Sequence, residues 1–214
     1  LSFGIAPRIN AGGRMGDAKC ALKLFAEKDE NKAFDLATKL GEYNIARQVE
    51  CDNRYKEAKA QIEEKKLDSR SVILVGNEEW KVGFVGIVAS RLVEEFARPV
   101  IVFAGHDGEL KGSARSVDGI NIHDALTHLK DMLITYGGHS QAAGVAVEKD
   151  RYLEFYDAFE DYVNSVKTQE VGEKTYFADM LVEGPISMKF AKEIEAMEPF
   201  GVGNRRPLFA IKVG

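Results

Sequence analysis

The sequence has little cysteine and no long apolar stretch. Cys20 and Cys51 are the only cysteines among its 214 residues, which excludes a disulfide framework and favours a reducing compartment. No apolar run approaches the roughly 20 residues of a transmembrane helix, and the opening residues do not resemble a signal peptide. We therefore expect a cytoplasmic protein without a membrane partner, in which both cysteines are small core residues. Because the first residue is leucine, we also expect a piece of a longer protein.

The sequence also lacks an excess of positive charge. A net charge of −5 argues against a general binder of polyanions. The sign is uneven, however, because residues 1–28 carry five basic and two acidic side chains, a local +3 that leaves −8 for the remainder. Cations that converge on one groove can bind nucleic acid even when the protein is acidic overall. The composition permits that class of function without favouring it.

The histidines do not form a metal-binding pattern. No pair has the three- or four-residue spacing that places two ligands on one helix face, and none is joined to a cysteine. His123 and His128 are five residues apart, so they face different ways on a helix. We therefore expect no metal or cofactor within this chain.

The distribution of apolar residues divides the chain into three parts. In residues 67–167, short apolar strands alternate with amphipathic helices, which predicts an α/β layer domain. Residues 1–66 end in a long charged helix whose thin apolar stripe suits a connector between domains. Residues 168–175 are typical of a linker. The remainder, as far as residue 214, predicts a strand, a helix and a strand that begin a further domain.

More local signals concern the first 66 residues. Residues 1–15 predict a strand end followed by an ordered, glycine-rich loop. Asp17 and Asp29 are candidate N-caps of two helices. The helix after Asp29 would end near Gly41, before the long connecting helix begins.

The stretch LKGSARS, residues 110–116, alternates polar and small side chains. In a strand, Lys111, Ser113 and Arg115 share one face of the sheet, with Ser113 and Arg115 roughly 7 Å apart. A guanidinium and a hydroxyl at that spacing suit the oxygens of one phosphate. The alternative is an edge strand with solvated polar residues, and the stretch alone does not decide between the two.

The stretch GGHSQAAG, residues 137–144, follows an amphipathic run. Gly137 and Gly138 would end that helix, since glycine adopts the positive φ of a helix C-cap. Equally, glycines can turn backbone N–H groups toward an anion, with His139 and Ser140 as further donors. Both interpretations stay open on the residues alone.

The stretch PRINAGGR, residues 7–14, holds a third set of polar residues. Arg8, Asn10 and Arg14 in a glycine-rich loop could direct two guanidinium groups toward one ligand. The alternative is a pair of exposed arginines in a flexible leading segment, which is the stronger interpretation without further context.

Five motifs occur together in one order: FGIAPRINAGGRMGDA, VGIVASRL with RPVIVF, LKGSARS, GGHSQAAG and PFGVGN. In that combination the chain resembles the RecJ family of single-strand-specific 5′→3′ exonucleases, in the DHH phosphoesterase superfamily. The resemblance implies that residues 67–167 are the DHHA1 domain, a sheet flanked by helices. It also implies that residues 1–66 are the end of the DHH domain with the connecting helix, and that residues 168–214 start an OB-type domain.

The resemblance implies roles for the three polar stretches as well. Arg8, Asn10 and Arg14 would lie near the DNA backbone, Ser113 and Arg115 would hold a phosphate, and Gly137, Gly138 and His139 would line the cleft. The resemblance implies no catalytic and no metal-binding residue within this chain. Manganese or magnesium would belong to the DHH domain upstream, single-stranded DNA would be the substrate, and DNA-repair proteins would be the partners.

The sequence departs from the family pattern at two positions. Lys81 stands where members often have histidine, and Arg205 follows Asn204 where many have proline. Two other functions stay open: a DHHA1-bearing phosphodiesterase for oligoribonucleotides or cyclic dinucleotides, and a non-catalytic interaction module. The long connecting helix and the PFGVGN segment favour the exonuclease, and we expect this chain by itself to bind DNA without cutting it.

Overall fold

Helices open the first unit of the chain, and strands follow them. The computed structural model describes residues 4–106, 108–167, 177–201 and 203–212. It divides into two units, Leu1–Gly172 and Glu173–Gly214. The elements of the first unit are α1 (Ala6–Met15), α2 (Ala18–Ala26), α3 (Glu30–Glu64), β1 (Ile73–Asn77), α4 (Val82–Phe96), β2 (Val100–His106), β3 (Glu109–Arg115), α5 (Ile122–His128), β4 (Thr135–Gly138), β5 (Ala142–Glu148) and α6 (Tyr152–Val166).

The first unit contains a five-stranded mixed sheet in the order β1-β2-β3-β5-β4. The pair β1 and β2 is parallel, with α4 as the crossover between them, and the other pairs are antiparallel. Helix α4 packs against β2 and β3 on one face, while α6 covers the other, where the Phe155 ring meets the Phe103 ring edge-on at 6.5 Å between centroids. This mixed sheet flanked by helices confirms the predicted α/β fold class.

The main hydrophobic core lies between the sheet and its helices. The side chains predicted to form the inner face of α4 are buried there, namely Val85, Val88, Ala89 and Leu92, with Phe96 half-buried. Helix α6 has the bounds predicted for it, because an uninterrupted amphipathic pattern runs from Tyr152 to Val166.

The loop predicted within residues 1–15 is wrong, because residues 6–15 form α1. Residues 1–3, at the predicted strand end, lie outside the described residues. Pro7 suits the first turn of a helix, which needs no backbone donor there. Gly12 is buried, and a Cβ in its place would lie 2.8 Å from the Asp17 carbonyl oxygen and 3.3 Å from Leu40 Cδ2. Packing against α3 therefore outweighs the low helix propensity of glycine.

The two helices predicted on either side of Gly41 are one, since α3 runs unbroken for 35 residues. Asp29 caps it as predicted, accepting from the backbone N–H groups of Asn31 and Lys32. Asp17 does not cap α2 through its side chain. Its carboxylate instead accepts from Lys39 Nζ at 3.1 Å and from the Tyr43 hydroxyl at 3.2 Å. These bonds, that from Lys39 foremost, lower the pKa of Asp17.

Helix α3 connects a small helical cluster to the sheet. Cys20, Ala21 and Leu40 form the core of that cluster, while Ala58 and Ile62 reach the main core. Near the end of α3, the Gln61 amide bonds both the N–H and the carbonyl of Gly76 on edge strand β1. Both cysteines are buried and free. No helix in the described part of the chain is both long and apolar enough to cross a membrane.

The second unit consists of β6 (Met180–Val182), α7 (Met188–Glu195) and β7 (Phe209–Ile211). The two strands pair in parallel, and the Phe190 ring packs edge-on against the Phe209 ring at 5.2 Å between centroids. Ser187 caps α7 by accepting from the Phe190 N–H at 3.1 Å. The predicted order of strand, helix and strand is present, and the OB-type assignment stays a prediction. The linker predicted at residues 168–175 lies outside the described residues.

Candidate functional site

Strand β3 presents alternate side chains to opposite faces of the sheet, as its sequence predicts. The small residues Gly112 and Ala114 lie on the face of Phe103, where a Cβ on Gly112 would come within 2.7 Å of the phenyl ring. Ser113 and Arg115 lie on the face of α4, since a Cβ built on Gly86 of that helix would lie 3.1 Å from Ser113 Oγ and 3.2 Å from Arg115 Nη2. The strand therefore carries a packing face and a polar face.

Beside Ser113, each of the next two strands of the sheet carries a glycine. Ser113 pairs with Gly144 of β5, which pairs in turn with Gly137 of β4. Both glycines are exposed, and a Cβ on Gly144 would meet only the Gly137 carbonyl oxygen, at 3.9 Å. We call these two residues the glycine strip. The strip is open backbone beside the Ser113 hydroxyl and the Arg115 guanidinium.

Arg115 is held by three hydrogen bonds. Its Nε donates to Ser90 Oγ at 3.1 Å, and its Nη1 donates to Ser113 Oγ at 2.9 Å and to the Ala114 carbonyl at 2.8 Å. A guanidinium has five N–H groups, so the two on Nη2 are left. Among the described residues, every side-chain N or O atom shielded from solvent has a partner. Nη2 is therefore not fully shielded from solvent.

The electrostatic environment of Arg115 is positive. Burial, and to a smaller extent the charge of Arg14, lowers the pKa of the Arg115 guanidinium. Arg14 Nη1 donates to the Gly83 carbonyl at 2.6 Å in the first turn of α4, one helical turn before Gly86. The ion pairs found among the described residues include neither Arg14 nor Arg115. Two close, uncompensated guanidinium groups favour an anion between them.

The residues predicted to end a helix form a hairpin instead. Gly137 and Gly138 belong to β4, so the prediction of a helix C-cap at this point is wrong. The helix α5 stops earlier, at His128, because pairing with β5 draws residues 135–138 into the sheet. Gly138 has a φ of 153°, and a Cβ there would lie 2.4 Å from the Ala142 carbonyl oxygen. Only glycine fits this tight return.

The tip of this hairpin is fixed by backbone hydrogen bonds. The Ser140 carbonyl accepts from the Ile122 N–H at 2.9 Å, and the Gln141 carbonyl accepts from the Ser116 N–H at 3.0 Å. His139 is exposed, and its N–H donates to the Ala142 carbonyl at 2.8 Å. Ala142 pairs with Arg115 on its other side, so His139 and Arg115 lie about 10 Å apart, two strand spacings. They occupy the same end of the sheet.

The three residues expected in a leading loop lie on helix α1 and do not all converge. Arg14 reaches α4 through Gly83, whereas the Arg8 guanidinium bonds the Gly4 carbonyl within its own segment. Asn10 is exposed on α1. Lys81 is the exposed residue directly before α4. The structure thus brings Arg14, Ser113 and Arg115 together, with the glycine strip beside them.

Further residues near this site were not found from the sequence. Arg47 of α3 donates through Nε and Nη2 to the oxygen of the buried Asn44 amide. Burial raises the pKa of the Cys51 thiol, and the charges of Arg47, Arg14 and Arg91 oppose that rise. These arginines come from three helices, so no local pattern shows that they converge. The same holds for Ser90 and Gly86 of α4, which contact Arg115 and Ser113 of β3.

The described residues hold no group of three or more histidine, cysteine, aspartate or glutamate side chains placed to bind a metal ion. What this site offers is instead a set of donors: the two N–H groups of Arg115 Nη2, the Ser113 hydroxyl and the Arg14 guanidinium. Ser113 Oγ already accepts from Arg115, so its own proton is free to be donated. Such a set suits the oxygens of a phosphate.

Comparison with known proteins finds one domain family and several relatives that are named as nucleases. The DHHA1 domain family matches residues 69–165. The single-stranded-DNA-specific exonuclease RecJ of Salmonella typhimurium is 35% identical over 98% of this chain and 38% of its own length. The RecJ protein of Bacillus subtilis is 33% identical over 97% of this chain and 27% of its own length. The chain thus spans between about a quarter and two fifths of these relatives.

Two solved structures of a RecJ protein are also similar to this chain over nearly its whole length. RecJ from Thermus thermophilus in complex with Mn²⁺ superimposes with a TM-score of 0.84 at 33% identity, over 98% of this chain and 31% of that one. The complex of the same protein with Mg²⁺ gives a TM-score of 0.82.

Proposed function

Because the chain belongs to the RecJ family and carries its DHHA1 domain, we propose that it is the substrate-binding region of a single-strand-specific DNA exonuclease. Its relatives are named for that activity. In this proposal the sugar–phosphate backbone of one DNA strand lies over the glycine strip, and a phosphate sits against Arg115 and Ser113.

The observation that carries the proposal is the arrangement around Arg115. Three of its N–H groups are used to fix it in place, and the remaining two are not fully shielded from solvent and lie beside the half-buried Ser113 hydroxyl and bare backbone. Charge-assisted hydrogen bonds of this kind are among the stronger polar contacts that proteins make. The absence of side chains on Gly137 and Gly144 lets a strand approach the sheet closely.

Each residue has a distinct task in this proposal. Arg115 Nη2 and the Ser113 hydroxyl donate to phosphate oxygens, and Arg14 adds positive charge from the side of α1. His139, at the hairpin tip, adds a donor at the far end of the strip. Holding the backbone in this way positions the scissile bond for attack and stabilises the negative charge that develops on phosphorus.

Hydrolysis itself belongs to a part of the longer protein that precedes these residues in the proposal. Manganese or magnesium bound there would activate a water molecule and stabilise the leaving oxygen. The relatives of known structure were crystallised with these ions. The contribution of this chain is to bind and orient the strand, so its selectivity depends on a narrow site rather than on base reading.

The binding test compares 5′-phosphorylated with 5′-hydroxyl single strands by fluorescence anisotropy at low salt. We expect tighter binding of the phosphorylated strand, and Arg115→Ala to weaken it about 10- to 100-fold, the loss of a charge-assisted hydrogen bond pair. The slope of log affinity against log salt should fall by about 0.7 in magnitude. Arg151→Ala is the matched control, since Arg151 pairs with Glu154 at the start of α6. Equal affinity for both strands, unchanged by Arg115→Ala, would refute the phosphate role.

The cleavage test asks whether the 214-residue chain cuts DNA. We expect binding without hydrolysis when purified chain is incubated with labelled single-stranded DNA and Mn²⁺. The longer protein should release nucleotides under the same conditions. Cleavage by the chain that persists through repeated purification, at a constant ratio to protein, would mean that the catalytic residues lie within these 214 residues.

A further inference from the structure

Helix α4 determines where the Arg115 guanidinium points. Ser90 Oγ donates its single proton to the Gly86 carbonyl at 3.0 Å, one turn earlier on the helix. Since the Arg115 Nε can only donate, Ser90 Oγ must accept from it at 3.1 Å. Both partners of the Ser90 hydroxyl are therefore assigned without ambiguity, and the Nε edge of Arg115 is tied to the helix backbone through one oxygen.

Space on α4 matters as much as the hydrogen bond. A Cβ built on Gly86 would lie 3.1 Å from Ser113 Oγ and 3.2 Å from Arg115 Nη2. These distances are closer than ordinary carbon contacts, and both atoms are proposed phosphate donors. Any side chain at position 86 would therefore displace those two groups. It would contact the side chains of β3 and not the strand backbone.

We infer that Ser90 and Gly86 are positioning residues, which orient Arg115 so that its free Nη2 edge and the Ser113 hydroxyl face the glycine strip. This inference depends on the proposed function, because it concerns the same phosphate site. Neither residue touches the substrate in this arrangement. Ser90 fixes the guanidinium by its Nε, and Gly86 leaves room for Nη2.

The chemical consequence is a preorganised anion site. An arginine that is free to rotate loses conformational freedom when it binds, and that loss weakens binding. Arg115 meets the phosphate with its rotamer already selected, because Ser90, Ser113 and Ala114 accept its other protons. Removal of the Ser90 hydroxyl should therefore reduce phosphate affinity without removing any donor to the phosphate.

A double-mutant cycle on Ser90 and Arg115 tests this inference. The probe is a 5′-phosphorylated oligothymidylate, with the 5′-hydroxyl form as reference. We expect Ser90→Ala to lower affinity for the phosphorylated strand about 3- to 10-fold, the effect of one side chain that must be immobilised on binding. The hydroxyl-ended strand should change little. In the Arg115→Ala background, Ser90→Ala should have no further effect, because the group that it orients is gone.

Two serine variants separate orientation from folding. Ser90→Thr keeps the hydroxyl and should restore most of the preference for the phosphorylated end. Ser165→Ala is the matched control, since that serine also bonds a carbonyl of its own helix, that of Tyr162, but lies on α6. It should leave both affinities unchanged.

Gly86→Ala provides an independent variant in which stability and binding change differently. Alanine favours a helix interior over glycine, which offsets the cost of moving Arg115 and Ser113, so the thermal midpoint of unfolding should change little. Affinity for the phosphorylated strand should nevertheless fall about 3- to 10-fold, since the methyl group displaces Arg115 and Ser113. Loss of binding without loss of stability is a result that a merely structural role for Gly86 would not give.

The outcomes distinguish this inference from the proposed function. If Arg115→Ala has no effect, both are refuted. If Arg115→Ala weakens binding but Ser90→Ala has no effect, or lowers affinity equally with and without Arg115, the phosphate site stands and the positioning role is refuted. Wild-type affinity of a folded Gly86→Ala protein would overturn the role of Gly86.

Discussion

The two faces of the sheet use glycine for opposite reasons. On the α6 face, a Cβ on Gly112 would collide with the Phe103 ring at 2.7 Å. On the α4 face, a Cβ on Gly144 would meet nothing closer than 3.9 Å. Glycine is required at position 112 because the Phe103 ring occupies the space of a side chain. At position 144 that space is open, and nothing within the described residues fills it. The two glycines lie on adjacent strands, β3 and β5, and on opposite faces of the sheet, because Gly144 pairs with Ser113 and not with Gly112. We call the α6 face at Gly112 the packed face and the α4 face at Gly144 the open face.

The packed face is where the aromatic side chains of α6 gather. Phe103 meets the ring of Tyr152 at 5.7 Å and that of Phe155 at 6.5 Å, both edge-on. Tyr152 and Tyr156 also donate to the carbonyls of Leu74 and Val72 on β1. Burial raises the pKa of both tyrosines, so they remain neutral donors. This face stabilises the fold, whereas on the other face α4 covers β2 and β3 and leaves the glycine strip on β5 and β4 exposed.

The largest effect on stability should come from adding a side chain on the packed face. Gly112→Ala places a methyl group against the Phe103 ring and Ile101 Cγ2, so the free energy of unfolding should fall by about 1–3 kcal/mol, as overpacking does. Binding by the molecules that stay folded should not change. Urea unfolding followed by circular dichroism, together with the anisotropy assay, measures both quantities. Unchanged stability would mean that the two faces are equivalent.

A smaller effect of the opposite kind should come from filling the open face. Gly144→Val adds a β-branched side chain that a strand favours, so the free energy of unfolding should hold or rise. Affinity for single-stranded DNA should fall about tenfold, because the branched side chain keeps the backbone away from the glycine strip and costs roughly one charge-assisted contact. Gly144→Ala, with less bulk, should give an intermediate loss. Full affinity in the valine variant would place the DNA elsewhere.

Periodicity in the sequence predicted the elements that depend on local pattern. The alternation of LKGSARS follows the two-residue period of a strand, and the structure places Ser113 and Arg115 on one face as that period requires. Helix α6 follows for the same reason. The family resemblance carried by the five motifs predicts that LKGSARS and GGHSQAAG serve one site, and that role stays a prediction.

The predictions that failed depend on tertiary contacts. Residues 7–14 look like a loop because of their glycines, yet burial of Gly12 against α3 makes them a helix. Gly137 and Gly138 look like the end of a helix, but pairing with β5 makes them a strand. The positions of Ser90 and Gly86 relative to Arg115 depend on how α4 crosses the sheet. No pattern within α4 itself encodes that crossing.

The central claim is that a backbone phosphate binds on the open face, and a crystal structure of the chain with a 5′-phosphorylated oligothymidylate tests it most directly. The account predicts the terminal phosphate within hydrogen-bonding distance of Arg115 Nη2 and Ser113 Oγ, with the following nucleotide over Gly144 and Gly137. A strand bound on the α6 face, or a phosphate held away from Arg115, would contradict it.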